Sequence, residues 1–271
     1  MGKVLRRASR AVGVGAAVLL AGMGTVSAAQ AESAAPPADN TPFIVGGEDA
    51  NIADHPFTVA LTTNGSQFCG GSIVAPNKVV TAAHCVPDAQ PDAVQVVSGR
   101  TTMSTDEGTV TDVSDIWVHP DFQNVTTGSD VAVLTLASEV AEQPIELAKA
   151  DDPGYQAGTD STILGWGTTT EGGQASDVLQ KATVPVNSDE DCSAGYNEYD
   201  PESMVCAGLP DGGVDACQGD SGGPMVAGGK LIGVTSWGDG CARPGKPGVY
   251  ARVGSYYDLL MEQIGGSAAQ R

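Results

Sequence analysis

Positive charge is scarce in this sequence of 271 residues: 13 Lys and Arg stand against 33 Asp and Glu, a formal net charge of −20. A phosphate-binding face needs clustered basic residues, so nucleic acid is excluded as a partner. Long apolar runs are also missing. The longest, Ala11 to Val26, is about 16 residues, short of the ~20 that span a bilayer. No two cysteines stand at C-x₂-C spacing, which argues against a cysteine-held zinc. There is no collagen period, and 41% apolar residues are too many for wholesale disorder. What remains is a globular, turn-rich chain with 36 Gly and 16 Pro.

The N-terminus reads as an export signal. Lys3, Arg6, Arg7 and Arg10 precede the apolar run, and the small residues Ser27-Ala28-Ala29-Gln30-Ala31 follow it. Cleavage after Ala29 or Ala31 fits equally well, giving a signal peptide over 1–31. Residues 32–43 are small, polar and Pro-containing, and read as a short extended propeptide. The exported product is expected to be extracellular, with no membrane attachment. That compartment suits six cysteines as disulfides, although six allow 15 pairings and the spacing does not choose. From residue 44 onward nine basic residues face 31 acidic ones, a net of −22. Such a charge favours solubility and attraction of cations.

Short apolar runs bounded by Gly, Pro, Asn or Asp recur through this body. They include Phe57–Leu61, Gly71–Val74, Lys78–Thr81, Val94–Val97, Val131–Leu136, Ser161–Leu164, Lys181–Val184, Met225–Val226 and Leu231–Val234. This pattern predicts an all-β barrel or sandwich. One helix is predicted, at the C-terminus, from Tyr256, Leu259, Leu260 and Ile264 at helical spacing. Ser255 would cap it and Gly265 would stop it. Ser138 to Ala157 is acidic and weakly patterned, suited to linking two halves.

Chemistry concentrates in three places. In Asp215-Ala216-Cys217-Gln218-Gly219-Asp220-Ser221-Gly222-Gly223-Pro224, a serine flanked by glycines would expose its hydroxyl among free backbone N–H groups. A nucleophile with an oxyanion hole needs that arrangement. A serine nucleophile needs a base. Of the three histidines, His55 and His119 each precede a proline and read as exposed loop residues. His84 instead follows an apolar strand, in Thr81-Ala82-Ala83-His84-Cys85. Asp130, at the edge of the most apolar strand, could orient it, since a carboxylate there must be hydrogen-bonded.

Taken in order, Thr-Ala-Ala-His-Cys, Ser-Asp-Val-Ala-Val-Leu and Gly-Asp-Ser-Gly-Gly-Pro resemble the trypsin family of serine proteases. The likeness runs from Ile44 to about Ile264. It includes Ile44-Val45-Gly46-Gly47, Leu164-Gly165-Trp166-Gly167, Ser236-Trp237-Gly238 and the stretch Gly240 to Tyr250. The Gly-rich C-terminal half is similar to secreted actinobacterial trypsins. The resemblance implies a chymotrypsin-like fold: two packed six-stranded antiparallel β-barrels, over 44–150 and 151–271, the second carrying the helix and a short tail.

It also implies roles. Ser221 would be the nucleophile, His84 the base, Asp130 its orienting carboxylate, and the N–H groups of Gly219 and Ser221 the oxyanion hole. Ser236 would support Asp130, and Ser236, Trp237 and Gly238 would pair with substrate as an added strand. Asp215 would sit at the base of the specificity pocket, with Gly238 and Gly248 as its small walls. This implies protein or peptide substrates cleaved after Arg or Lys. Ala216 stands where animal digestive trypsins commonly have Ser, which predicts Arg over Lys.

Cleavage after Phe43 would free an Ile44 ammonium to pair with Asp220. Phe43 is not basic, so a separate activating protease is expected. The family pattern suggests Cys69–Cys85, Cys192–Cys206 and Cys217–Cys241. No cofactor is required. The calcium loop of animal trypsins corresponds to Arg100–Gly108, which looks shortened and begins with Arg100; Asp106 and Glu107 remain, so calcium there or elsewhere is possible but not supported by the sequence. A monomer is expected, open to protein inhibitors. A recognition module on the same fold would normally lack a triad member, and chymotrypsin- or elastase-like specificity is opposed by Asp215.

Overall fold

A computed structural model of the chain describes residues 44–265. The signal and propeptide readings, and the tail from residue 266, lie outside the described residues. The chain enters through β1 (Glu48–Asp49) and then builds β2 (Thr58–Thr63), β3 (Ser66–Ala75), β4 (Lys78–Thr81), β5 (Gln95–Ser98), β6 (Thr109–Val118) and β7 (Ala132–Leu136). The last six close an antiparallel barrel in the order β2-β3-β4-β7-β6-β5. Its interior is filled by Val59, Leu61, Ile73, Val79, Val96 and Leu134, the branched residues of the predicted runs.

The second half contains β8 (Glu146–Leu147), β9 (Asp160–Gly165), β10 (Gln180–Pro185), β11 (Met204–Ala207), β12 (Pro224–Ala227), β13 (Lys230–Trp237) and β14 (Gly248–Arg252). Six of these follow the path β10-β9-β12-β13-β14-β11. A single bridge from Val186 to Ala207 brings the two ends of that path together. The second barrel is thus closed by one bridge, where the first is closed by a full ladder. Two short strands extend it: β1 pairs with β10, and β8 runs parallel to β13. The segment read as a linker is therefore partly a strand. The start of the body thus joins the second sheet through Glu48 and Asp49. Ile44 is fully buried among Ala148, Ile163, Val184 and Met225. A shared layer joins the barrels, with Val80 and Val133 from one side and Leu231, Val234 and Leu260 from the other.

Five expectations need correction. The C-terminal helix α2 is Tyr257–Ile264, preceded by a 3₁₀ turn over Val253–Tyr256. Ser255 lies inside that turn, so Tyr256 holds the cap position and no side chain caps the helix. Leu260 is buried, but Leu259 is 40% exposed and is not part of the packed face. Gly265 ends the helix at φ 82°, a left-handed stop. A second helix, α1 (Asp189–Gly195), was not anticipated because it has no apolar stripe. It is held by Ser188, whose hydroxyl accepts from Asp191 N–H, by three acids in its first turn, and by buried Cys192. Finally, His119 is buried, packed edge-on against Trp117 and Tyr256, with its Nδ1 accepting from Asp121 N–H. Burial lowers its pKa. His55 is half-buried.

Candidate active site

β4 and β7 pair antiparallel with Thr81 opposite Ala132. The residues just after β4 and just before β7 therefore meet at one end of the first barrel. His84 sits there on the 3₁₀ turn Ala83–Cys85. Asp130, 1% exposed, lies opposite. Asp130 Oδ1 accepts from the His84 backbone N–H at 2.8 Å, and its Oδ2 meets His84 Nδ1 at 2.7 Å. Ser236 Oγ donates to Asp130 Oδ2 at 2.5 Å. In the tautomer with its hydrogen on Nδ1, His84 donates to this carboxylate and Nε2 is the acceptor. Ser236 reaches Asp130 because β13 is bulged between Thr235 and Trp237. The extra residue redirects a side chain that regular pairing would aim elsewhere.

Ser129, before Asp130, is held at φ 57° and donates its N–H to Tyr256 OH at 2.8 Å. Left-handed backbone is costly for a non-glycine residue, and it persists only where its surroundings fix it. Tyr256 thus ties the helical C-terminus to the Asp130 turn.

Ser221 is half-buried on the loop between β11 and β12. The N–H groups of Asp220, Gly222 and Gly223 are bonded to Cys217, Thr235 and Asp220 carbonyls. Those of Gly219 and Ser221 donate to no group among the described residues. Gly219 has φ 96°, a conformation open to glycine and strained for other residues. Ser221 Oγ and His84 Nε2 are not hydrogen-bonded among the described residues. Contacts of this kind commonly tighten only when substrate arrives.

Beside Ser221 opens a cleft of about 160 Å³. Asp215, Ala216, Ser236, Trp237, Gly238 and Gly248 all line it. Asp215 is 3% exposed. Its Oδ2 accepts from Ala242 N–H at 3.0 Å, and its Oδ1 makes no hydrogen bond of good geometry among the described residues. Burial pushes this carboxyl up to about 7, against the pull of the Ala242 and Ala216 N–H groups. Ala242 itself is held at φ 56°, which turns its N–H inward. The Cys217–Cys241 disulfide joins the two walls.

A trypsin family model matches residues 44–260. The chain belongs to the trypsin family. It is 69% identical to a trypsin of Saccharopolyspora erythraea over 226 residues, covering 83% of this chain and all of that protein. It is 41% identical to Trypsin-1 of Astacus astacus, over 80% of this chain and 98% of that one. It is 40% identical to the vitellin-degrading protease of Bombyx mori, over 82% and 85%. The protein is a trypsin-like serine endopeptidase of chymotrypsin-like fold, similar to an actinobacterial trypsin.

The remaining candidate site residues of this trypsin-family chain lie behind Ser221. Asp220 is fully buried, and its oxygens accept from Gly167 N–H at 2.8 Å and Cys217 N–H at 2.9 Å. A side chain at Gly165 or Gly167 would place a Cβ within 2.1 to 2.5 Å of this carboxylate, which accounts for the glycines flanking Trp166. No cation pairs with Asp220 among the described residues, and burial pushes it up to about 6. Ile44 has φ 45°, rare for a β-branched residue. Val45 bridges to Asp215, linking the start of the body to the pocket floor.

The structure joins Cys69 to Cys85, Cys192 to Cys206 and Cys217 to Cys241. Cys69, His84 and Cys85 cluster at metal-ligand distances, but both sulfurs are bonded to each other. In the Arg100–Gly108 loop, Arg100 Nε donates to the Glu107 carbonyl at 2.5 Å. No helix among the described residues is long and apolar enough to cross a membrane.

Two residues escaped the sequence reading. Tyr250 OH is buried in the pocket lining beside Asp215, without a partner among the described residues. It falls inside a quoted motif, but nothing local marks it. Gln67 Nε2 donates to the Gly219 carbonyl at 2.7 Å from the other barrel. Only the tertiary fold brings it there.

Proposed function

We propose that this protease is secreted, cleaves proteins after Arg or Lys with Arg preferred, and is made as a precursor activated by cleavage before Ile44. One observation carries the specificity: among the described residues, Asp215 Oδ1 lacks a partner at the floor of the cleft that Ser221 borders. A buried carboxylate oxygen left unpaired is unfavourable, and a guanidinium entering the cleft would satisfy it. Ala216 brings no hydroxyl to help hold a compact ammonium, whereas a guanidinium presents a fork of donors.

In the proposed reaction, Ser221 Oγ attacks the carbonyl carbon and passes its proton to His84 Nε2. The developing oxyanion accepts from Gly219 and Ser221 N–H. His84 then protonates the leaving amine, and water releases the acyl group by the same steps. Asp130 keeps His84 in register, and Ser236 keeps Asp130 in register. The substrate backbone would lie along Ser236 to Gly238 as an added strand. All the chemical groups come from the chain, so no cofactor is required, and a chelator is expected to leave the rate unchanged.

Activation follows from Asp220 and Ile44. Cutting the Phe43–Ile44 bond removes the left-handed torsion at Ile44 and creates an ammonium. That ammonium would supply a cation that buried Asp220 lacks among the described residues. Losing one partner of such a buried pair costs about 3–5 kcal/mol, enough to disorder the Ser221 loop. The residue before the cut, Phe43, does not suit the Asp215 pocket, so another protease would make it. Protein inhibitors that present Arg or Lys would fit the same cleft, and the enzyme would act as a monomer.

The test is hydrolysis of matched Arg, Lys and Phe anilides by the protein beginning at Ile44. The full-length precursor and Ser221→Ala run beside it. Arg above Lys, Phe near background, and both controls inactive would support the reading. Phe above Arg would remove the role of Asp215, and an active precursor would remove the activation step.

A further inference from the structure

Four successive peptide planes make up the proposed oxyanion loop, and each has its carbonyl tied. Gln218 O accepts from Thr168 N–H at 2.6 Å, Asp220 O from Gly223 N–H at 2.8 Å, and Ser221 O from Gly70 N–H at 2.7 Å. These three donors are backbone groups. The fourth carbonyl, Gly219 O, is held by a side chain, Gln67 Nε2, at 2.7 Å. Gly219 is also the residue whose torsions are least restrained by its own chemistry. Its N–H is one of the two unpaired donors.

Gln67 is well placed to act as a clamp. Its amide nitrogen also donates to Cys69 O at 3.2 Å, so both of its hydrogens face carbonyls and the amide has one satisfactory orientation. Cys69 is bonded to Cys85, next to His84. Gln67 lies where the β2–β3 register shifts: Leu61 faces Cys69, and Thr62 faces Gln67. The bulge at Phe68 bends the strand beside the residue that crosses to the other barrel.

We propose that Gln67 is a positioning residue, aligning the Gly219 N–H with the transition state from the opposite barrel and coupling it to the loop that carries His84. The proposal rests on the reading of Gly219 and Ser221 as oxyanion donors. It predicts that losing the clamp harms the transition state and leaves substrate binding in the pocket intact, because Gln67 does not line the cleft.

The experiment uses enzyme beginning at Ile44 and two variants. Gln67→Met keeps the length and packing of the side chain, and Gln67→Glu puts acceptors where donors are needed. For each, kcat and KM on an Arg anilide are measured with two inhibition constants. One is for an arginine boronate, which forms a tetrahedral adduct. The other is for benzamidine, which fills the pocket without reaching the oxyanion site. The expected result for Gln67→Met is a kcat about tenfold lower, with boronate affinity falling in parallel. KM and benzamidine affinity should stay within twofold of the parent. Gln67→Glu should fall at least as far. An unchanged kcat in both variants would overturn the proposal. So would boronate and benzamidine affinities falling together, which would mark a general loss of structure. Should the parent enzyme bind the boronate no more tightly than benzamidine, the oxyanion reading itself would fall, and the clamp with it.

Discussion

A methyl group added at Gly248 would test the pocket floor directly. A Cβ there would lie 2.5 Å from Asp215 Oδ1, 3.0 Å from Tyr250 OH and 3.3 Å from Tyr250 Cε2. Neither neighbour yields without cost: Asp215 is 3% exposed and Tyr250 fully buried. Asp215 is further pinned by the Ala242 N–H. Restoring an ordinary contact requires the carboxylate to move about 1 Å, and a misplacement of that size typically costs about 10² in rate. Gly248→Ala is therefore expected to lower kcat/KM on an Arg anilide about a hundredfold. Gly238→Ala gives the internal comparison. Its Cβ would meet only Gly240 O at 3.5 Å and Tyr196 OH at 3.9 Å, so the free enzyme accommodates it. Its loss should be smaller and should appear mainly in KM. Both variants should react at the parent rate with a small phosphonylating reagent, which uses Ser221 and His84 but not Asp215. A Gly248→Ala enzyme within threefold of the parent on the Arg anilide would refute the reasoning. So would an equal loss toward the phosphonylating reagent.

Three more outcomes follow from the same geometry. Because Asp215 titrates near 7 in the empty pocket, benzamidine affinity should fall about ninetyfold from pH 8 to pH 5, with a proton released on binding at the acid end. A flat profile over that range by calorimetry would contradict it. Buried Asp215 and Asp220 hold protons more tightly in the folded precursor than in the unfolded chain. The folded precursor takes up protons between about pH 4 and 7, and its stability should fall as pH rises through that window. The Asp220 part amounts to about 3 kcal/mol and should vanish once Ile44 is freed, which denaturant titration of both forms would detect. Replacing Cys192 and Cys206 by Ala should lower stability by about 3 kcal/mol with little change in kcat/KM. The same change at Cys217 and Cys241 should weaken benzamidine binding as well, since that bridge joins the pocket walls.

Much of this architecture is legible in the sequence, and what is not has a physical reason. Strands that alternate or are apolar throughout, such as β2, β4 and β7, are found within a residue or two. β6 was missed because its polar outward residues, Asp112, Ser114 and Asp115, dilute the pattern. β11 and β14 are short, and their register is set by neighbours. Helix α1 depends on a cap and a disulfide more than on periodicity. His119 looked exposed because it precedes Pro120, yet Trp117 and Tyr256 enclose it. His84, Asp130, Ser221 and Asp215 stand in dense local motifs. Gln67 meets Gly219 across the two barrels, and Tyr250 meets the pocket lining only through the fold, so neither leaves a local mark.

The shortage of basic residues has a last consequence, for how long the enzyme survives among its own copies. An enzyme of the proposed specificity can cut itself only after Lys or Arg, and the described residues offer few usable bonds. Lys78, Lys181, Lys230 and Arg252 lie in strands, where the backbone is already committed to a ladder. Arg243 and Lys246, on the loops nearest the pocket, are each followed by proline, whose ring and missing N–H hinder an incoming active site. Arg100 and Lys149 are left as the loop positions open to self-digestion. With the proposed specificity, the same shortage of basic residues would make this protease a poor substrate for itself.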